Sequence, residues 1–237
     1  MDNLSIRLDD RAFGRQLSNL ERVQLPFAAA NALNDTAADA LKHIQDRMDV
    51  VFDRPTRWTK NALMVWRAKK GNLEAQVKER PSVGSRHYLK VQEAGGVRPQ
   101  TGVEKLLAGR VAYAGIIAAA LPAAGAKLDS YGNWSGGERN QVLSALGAQR
   151  DRAANQTEAS RKRAKGRASY FVPKHGLSPG VFKRTVTGEL SKVLTFTTAM
   201  PRYDQRLGFY DGVQEVWSDK LPGHLNRRLA EAVASAR

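Results

Sequence analysis

The chain has 237 residues, no cysteine, four histidines and a formal net charge of +15. Its length is enough to bury a real core, as one domain or as one domain with a large insertion, and 42% hydrophobic residues exclude wholesale disorder. The lack of cysteine excludes disulfides, thiolate metal sites and cysteine nucleophiles together.

The positive charge sits in two blocks. Residues 1–53 hold 6 basic and 9 acidic side chains, residues 54–110 hold 13 and 4, residues 111–149 hold 2 and 2, residues 150–200 hold 11 and 3, and residues 201–237 hold 6 and 5. Two basic blocks between near-neutral ends describe a surface that favours phosphate backbones or acidic protein neighbours. The start, Met1-Asp2-Asn3-Leu4, has no basic region followed by an apolar run, so no signal peptide is expected. The longest apolar run, from Ile116 to Ala124, is too short to span a bilayer. A cytosol-like compartment and no membrane contact follow as expectations.

In chain order, a short helix is expected over Asp10–Arg22 and a long amphipathic helix from about Leu25 to Phe52. In the long helix Leu33, Ala37, Leu41, Ile44, Met48 and Val51 recur at spacings of three and four. Pro26 falls where a first-turn proline is tolerated, and Asn31, Asp35, Asp39, Lys42, Asp46 and Asp49 supply the wet side. The helix should stop near Asp53-Arg54-Pro55, since a residue before proline is driven out of the α region. Period-two alternation over Ala62–Ala68 and Leu73–Lys78, joined by Lys69-Lys70-Gly71-Asn72, predicts a β-hairpin with Trp66 in the core.

Ser82–Gln100 is rich in turn residues, Gly102–Tyr113 is expected to be helical, and Ala114–Ala126 reads as a packed loop or arm. Asp129–Asn133 is a turn, and Ser135 caps a helix to about Leu146 with Glu138 at capping-box spacing. Gln149–Arg167 is polar, dense in Arg and Lys, and expected to be mobile in the free protein. A meander follows over Ser169–Val172, Gly180–Arg184 and Lys192–Thr197, with turns at His175-Gly176 and Thr187-Gly188. Helices are expected over Tyr203–Leu221 and, after a break at Pro222-Gly223, over His224–Ala236, where Leu225, Leu229, Ala232 and Val233 make an apolar stripe.

Catalytic chemistry finds no constellation. His43, His87, His175 and His224 are far apart and none has a partner at metal-ligand spacing. Gly95-Gly96 lacks a following Lys-Ser/Thr, and Gly136-Gly137 lacks a preceding strand, so no phosphate-cradling loop is present. Glu74, Lys78 and Glu79 are close in sequence, but adjacent strand positions face opposite ways. No enzyme activity, cofactor or metal is expected. The candidate contact residues are basic: Arg54, Arg57, Lys60, Lys69 and Lys70 around the hairpin, with Trp58 and Trp66 nearby, and Arg161, Lys162, Arg163, Lys165 and Arg167 on the cationic arm. Both groups suit phosphates bound without base reading.

Three stretches resemble phage and prophage structural proteins of tail-assembly clusters. They are Arg86-His87-Tyr88-Leu89 with Gly95-Gly96-Val97-Arg98, then Ala126–Asn133 leading into Gly137–Ser144, then Tyr170-Phe171-Val172 with Leu177–Phe182 and Pro201-Arg202-Tyr203. The alanine-rich helix after Leu25-Pro26 and its basic hairpin also resemble the minor tail protein Z, or tail-completion, family of long-tailed phages. The resemblance implies an α+β fold, with a twisted antiparallel sheet packed against the long helix and a C-terminal helix; the sequence departs from the shorter relatives in a long irregular insertion at about 81–167. The core would then comprise residues 1–80 and 168–237. It also implies a non-enzymatic virion protein of the tail or neck. Such a protein is assembled in the host bacterial cytoplasm as a homo-oligomeric ring, joining the tail to the head connector beside the tail terminator and genomic DNA. A sequence-independent nucleic-acid-binding protein is the alternative.

Overall fold

The structure is a computed structural model that describes residues 4–7, 19–86, 88–110, 117–164 and 166–235. In chain order its elements are β1 (Leu4–Arg7), α1 (Asn19–Val51), α2 (Arg57–Lys60), β2 (Leu63–Trp66), β3 (Glu74–Glu79), α3 (Tyr88–Ala94), β4 (Gly96–Val97), α4 (Gly102–Ala108), β5 (Ala119–Pro122), α5 (Gly136–Ala145), α6 (Glu158–Arg163), β6 (Ser169–Phe171), β7 (Gly180–Arg184), β8 (Leu190–Thr197), β9 (Arg202–Tyr203) and α7 (Val213–Ser235). The fold is α+β, with antiparallel strand pairing.

The chain divides into two compact units. The split unit joins Met1–Gly95 to Asp204–Arg237, and the inserted unit is Gly96–Tyr203. The meander of β6, β7 and β8 lies in the inserted unit, not with the hairpin as the sequence reading had it. The reason is pairing: β8 hydrogen-bonds to β5, so the four-stranded sheet runs β5-β8-β7-β6. Ala114–Ala126 is accordingly no simple loop, since its part Ala119–Pro122 is a strand. At Gly180 the strands approach so closely that a Cβ would run into the Leu194 carbonyl oxygen.

In the split unit, α1 packs on the sheet β1-β3-β2 and against α7. Leu33, Ala37, Ile44 and Met48 are buried as the periodicity requires, with Ala75, Val77 and Leu63 from the sheet. Ala32, Ala40 and Thr36 are buried too, because a helix covered by a sheet and a second helix needs more than one apolar stripe. Small side chains there let α7 come close. The wet side is shared: Asp35 accepts from the guanidinium groups of Arg227 and Arg228, and Asp39 takes an Nε2–H bond of 2.7 Å from His224. Asn34 is buried, donating to the Ala68 carbonyl oxygen and accepting from the Ala68 N–H.

Several boundaries differ from expectation. α1 is already helical at Asn19, so Pro26 lies inside it instead of in the first turn. The lost hydrogen bond is a local cost within a 33-residue helix held by tertiary packing. Residues 10–18 of the expected first helix lie outside the described residues. α7 likewise runs unbroken through Pro222, which is exposed, and Val233 is exposed instead of completing the apolar stripe. The long helix does end ahead of Pro55, where Arg54 adopts φ 46°.

Candidate polyanion-binding groove

The two basic blocks have different fates. In the split unit, Arg54 is held by its neighbour Asp53 through two hydrogen bonds of 3.0 and 2.9 Å. Lys60 is tied to Asp49 at 2.6 Å. Arg57 is exposed on α2, whose cap is the Thr56 hydroxyl accepting from the Thr59 N–H. Lys69 and Lys70 are exposed at the hairpin turn, closed by mutual backbone bonds of 2.9 Å between Lys69 and Asn72. That turn lies at the far end of β2 from α2. Trp58 stacks on Tyr88 with ring centroids 4.9 Å apart. Trp66 is 42% exposed, not a core residue, and carries the Lys78 ammonium 3.9 Å over its ring. The physical reason is register: Trp66 pairs with Gln76 and Met64 with Lys78, on the sheet face away from the buried Ala75 and Val77. The hairpin cations are therefore dispersed and partly neutralised.

In the inserted unit the cations converge. The expected mobile arm is built as structure: Arg152–Ala154 forms a 3-10 turn and Glu158–Arg163 forms α6, capped by the Thr157 hydroxyl accepting from the Ser160 N–H. α6 and the strand after it border an open cleft of about 1400 Å³. Of the nominated run, Arg161 and Arg167 line the cleft, whereas Lys162 and Arg163 do not. Lys165 lies outside the described residues. Three further cations complete the lining, Arg110, Lys174 and Arg184. No Asp or Glu lines the cleft, and none of these five cations pairs with a carboxylate among the described residues.

The sequence reading missed Arg110, Lys174 and Arg184 because it nominated by local density. The signal that finds Arg184 is strand register: a hairpin centred between Gly176 and Leu177 sets Ser169 opposite Arg184, which brings Arg167 and Arg184 to the same end of the β6–β7 pair. Arg184 is further steered by Phe171, whose ring centre lies 5.3 Å from its guanidinium carbon.

The walls of the groove are fixed by one buried carboxylate. Glu138 does not complete the capping box its spacing suggests. Ser135 caps α5, but the Glu138 carboxylate turns inward to accept from the Lys127 N–H at 2.7 Å, the Trp134 indole N–H at 3.0 Å and the Tyr170 hydroxyl at 3.2 Å. It thus ties α5 to β6. Burial and the Glu138 charge push the Tyr170 hydroxyl up to about 12, so it remains a neutral donor. The reciprocal capping box occurs instead at Thr101 and Glu104, a pair the sequence reading did not single out. Glu104 is 1% exposed and accepts from both Arg98 guanidinium nitrogens, from the Thr101 N–H and hydroxyl, and from the Ala120 N–H. Burial pushes its carboxyl up, but these five donors outweigh it and hold the group at about 2.

Among the described residues, no group of three or more His, Asp or Glu side chains is placed to hold a metal ion. His43 instead sits 2.9 Å from the Asp211 carbonyl oxygen, and His224 is taken up by Asp39. His87 lies outside the described residues. Among the described residues, no helix is long and apolar enough to cross a membrane. Compared with known proteins, the chain matches no family model, no curated protein and no solved structure. The groove's lining offers a convergent positive field and hydrogen-bond donors.

Proposed function

We propose that this protein is a non-enzymatic structural protein of a phage tail or neck that lies against a polyanion. The observation that carries the reading is the groove of the inserted unit, where five cations from separate segments converge without a carboxylate among the lining residues. A positive field of that kind holds DNA phosphates or an acidic protein surface in place. The tail-and-neck setting is supported by the resemblance of the alanine-rich helix and the basic hairpin to tail-completion proteins, and of the stretches at 86–98, 126–144 and 170–203 to structural proteins of phage tail-assembly clusters. In that setting the chain assembles as a ring that joins the tail to the head connector, with the tail terminator as neighbour.

The test is mass spectrometry of purified particles, together with assembly in a strain lacking the gene. The chain should be a stoichiometric particle component, and its loss should leave heads and tails unjoined. Its absence from particles, with joining unaffected, would overturn this role. The same groove favours a second reading, a sequence-independent nucleic-acid-binding protein acting outside the particle. That reading requires DNA binding by the free chain and no incorporation.

A further inference from the structure

We infer that the cleft between α5, α6 and the β6–β7 hairpin is a binding site for a nucleic-acid backbone, gripped through its phosphates. This deepens the function proposed above and rests on it for the polyanion alone.

The size of the cleft comes first. At about 1400 Å³ it exceeds the roughly 300–1000 Å³ of a small-molecule pocket, so it fits a segment of a polymer. Its charge then limits the polymer to an anionic one. Arg110 follows α4, Arg161 sits on α6, Arg167 precedes β6, Lys174 lies in the β6–β7 loop and Arg184 ends β7. All five are exposed. Five cations drawn from five places in the chain and spread along one cleft match a repeating charge.

The residues between the cations separate a phosphodiester chain from an acidic peptide. Protein partners anchor through large side chains seated in apolar pockets. Beside the apolar Leu146, Phe171, Val172 and Pro173, the cleft is lined by small residues, such as Ala145, Ala154, Ala164 and Ala168, and by Ser144, Ser160 and Ser169. Asn140, Gln141 and Gln156 add amide side chains to the lining. Arg, Lys, Ser, Asn, Gln and Tyr are the side chains that contact phosphate and sugar. The faces of Phe171 are already engaged by Arg184 and by Phe182, whose ring centroid is 6.2 Å away. Contacts to phosphate and sugar carry no base identity, so the grip is independent of sequence.

The test uses the full chain and fluorescence anisotropy with three probes: a duplex DNA, a single-stranded oligonucleotide and poly-glutamate, each over a salt series. The groove variant is Arg161→Gln/Arg167→Gln/Arg184→Gln, and the comparison variant is Arg57→Gln/Lys69→Gln/Lys70→Gln. The groove variant should bind duplex DNA at least tenfold more weakly at low salt. Its log K against log salt slope should be shallower by about three, near 0.9 for each lost phosphate contact. The comparison variant should lose less, and Arg161→Lys/Arg167→Lys/Arg184→Lys should keep most of the binding, since an ammonium still holds a phosphate. The duplex and single-strand arms show which form the cleft prefers. An unchanged slope in the groove variant, or poly-glutamate bound as tightly as DNA and weakened equally by it, would overturn the inference. Thermal melting checks each fold, and if a triple variant fails to fold, Lys174→Gln decides by a slope change of about one. Loss of the groove inference with the chain still found in particles leaves the structural role standing. DNA binding by a chain never found in particles does the reverse.

Discussion

The split unit carries 21 basic and 17 acidic side chains, whereas the inserted unit carries 17 and 6. In the split unit the acids face the bases: Asp35 meets Arg227 and Arg228, Asp49 meets Lys60, Asp211 meets Arg47 and Asp46 meets Lys42. In the inserted unit four of the six acids are committed to building the chain's own turns and joints. Glu104 and Glu138 are buried acceptors, Asp129 takes the N–H groups of Tyr131 and Asn133, and Asp151 takes that of Ala153. Few remain to neutralise surface cations. Net charge alone therefore does not locate cations that lack a carboxylate partner. What matters is whether the carboxylates are available to the cations or are used by the backbone.

Four measurements would break or sharpen this contrast. The largest effect is expected from Ile44→Asp, which buries an unpaired carboxylate in the core of the split unit, where Ile44 is 0% exposed. A loss of more than about 4 kcal/mol in denaturant unfolding is expected. Leu41→Asp should cost less, because Leu41 is only half-buried against that core. Equal, wild-type-like unfolding of both variants would remove the packing argument for α1.

Next comes Glu104→Ala in the inserted unit. It strips the buried partner from Arg98, whose side chain is 17% exposed, and leaves the Thr101 and Ala120 N–H groups without their acceptor. A loss of about 3–5 kcal/mol is expected, with hydrogen-exchange protection falling first in α4 and β5. Protection lost equally throughout the split unit would contradict a local role.

Acid should reproduce part of that loss. Glu104 has a folded pKa of about 2 against an ordinary 4.5. The stability it contributes is therefore complete above about pH 4.5 and is lost as pH falls from there towards 2. In the split unit, burial pushes Asp35 up, but its bonds to Arg228 and Arg227 bring it below its ordinary 3.8, so its contribution also fades on acidification, beginning lower. Melting temperatures at pH 7, 4 and 2.5 check the order, and Glu104→Gln should flatten the steeper part. A wild-type profile in that variant would remove Glu104 as the source.

The smallest effect is expected from Asp35→Asn. Asp35 and Arg228 have side chains 22% and 30% exposed, and Glu231 also contacts Arg228. A partly solvated network of this kind is worth about 1 kcal/mol, visible as a small shift in the unfolding midpoint. A shift as large as that of Glu104→Ala would erase the distinction between the units.

Local patterns were legible wherever near neighbours in sequence are near neighbours in space. The apolar spacing of Leu33, Ala37, Ile44 and Met48 marked the core of α1. The alternation on either side of Lys69–Asn72 marked the hairpin. Ser135 marked the start of α5. The cationic run at 161–167 supplies Arg161 and Arg167 to the cleft lining, but its density did not separate them from Lys162 and Arg163. Helix periodicity settles which residues share a face, but not which face meets a partner.

Tertiary structure alone decided the rest. It carried α1 and α7 through Pro26 and Pro222, since packing along a long helix outweighs one missing hydrogen bond. It turned Trp66 outward, because the pairing register and not hydrophobicity sets the face of a strand residue. It placed Ala119–Pro122 beside β8, a pairing 70 or more residues apart that no local spacing encodes. It also made Glu138 a buried acceptor instead of a capping-box member and brought Arg110, Lys174 and Arg184 to Arg161 and Arg167. Convergence of charge from distant segments depends on sheet order and register, and those are set by long-range burial and backbone pairing, which a linear pattern does not carry.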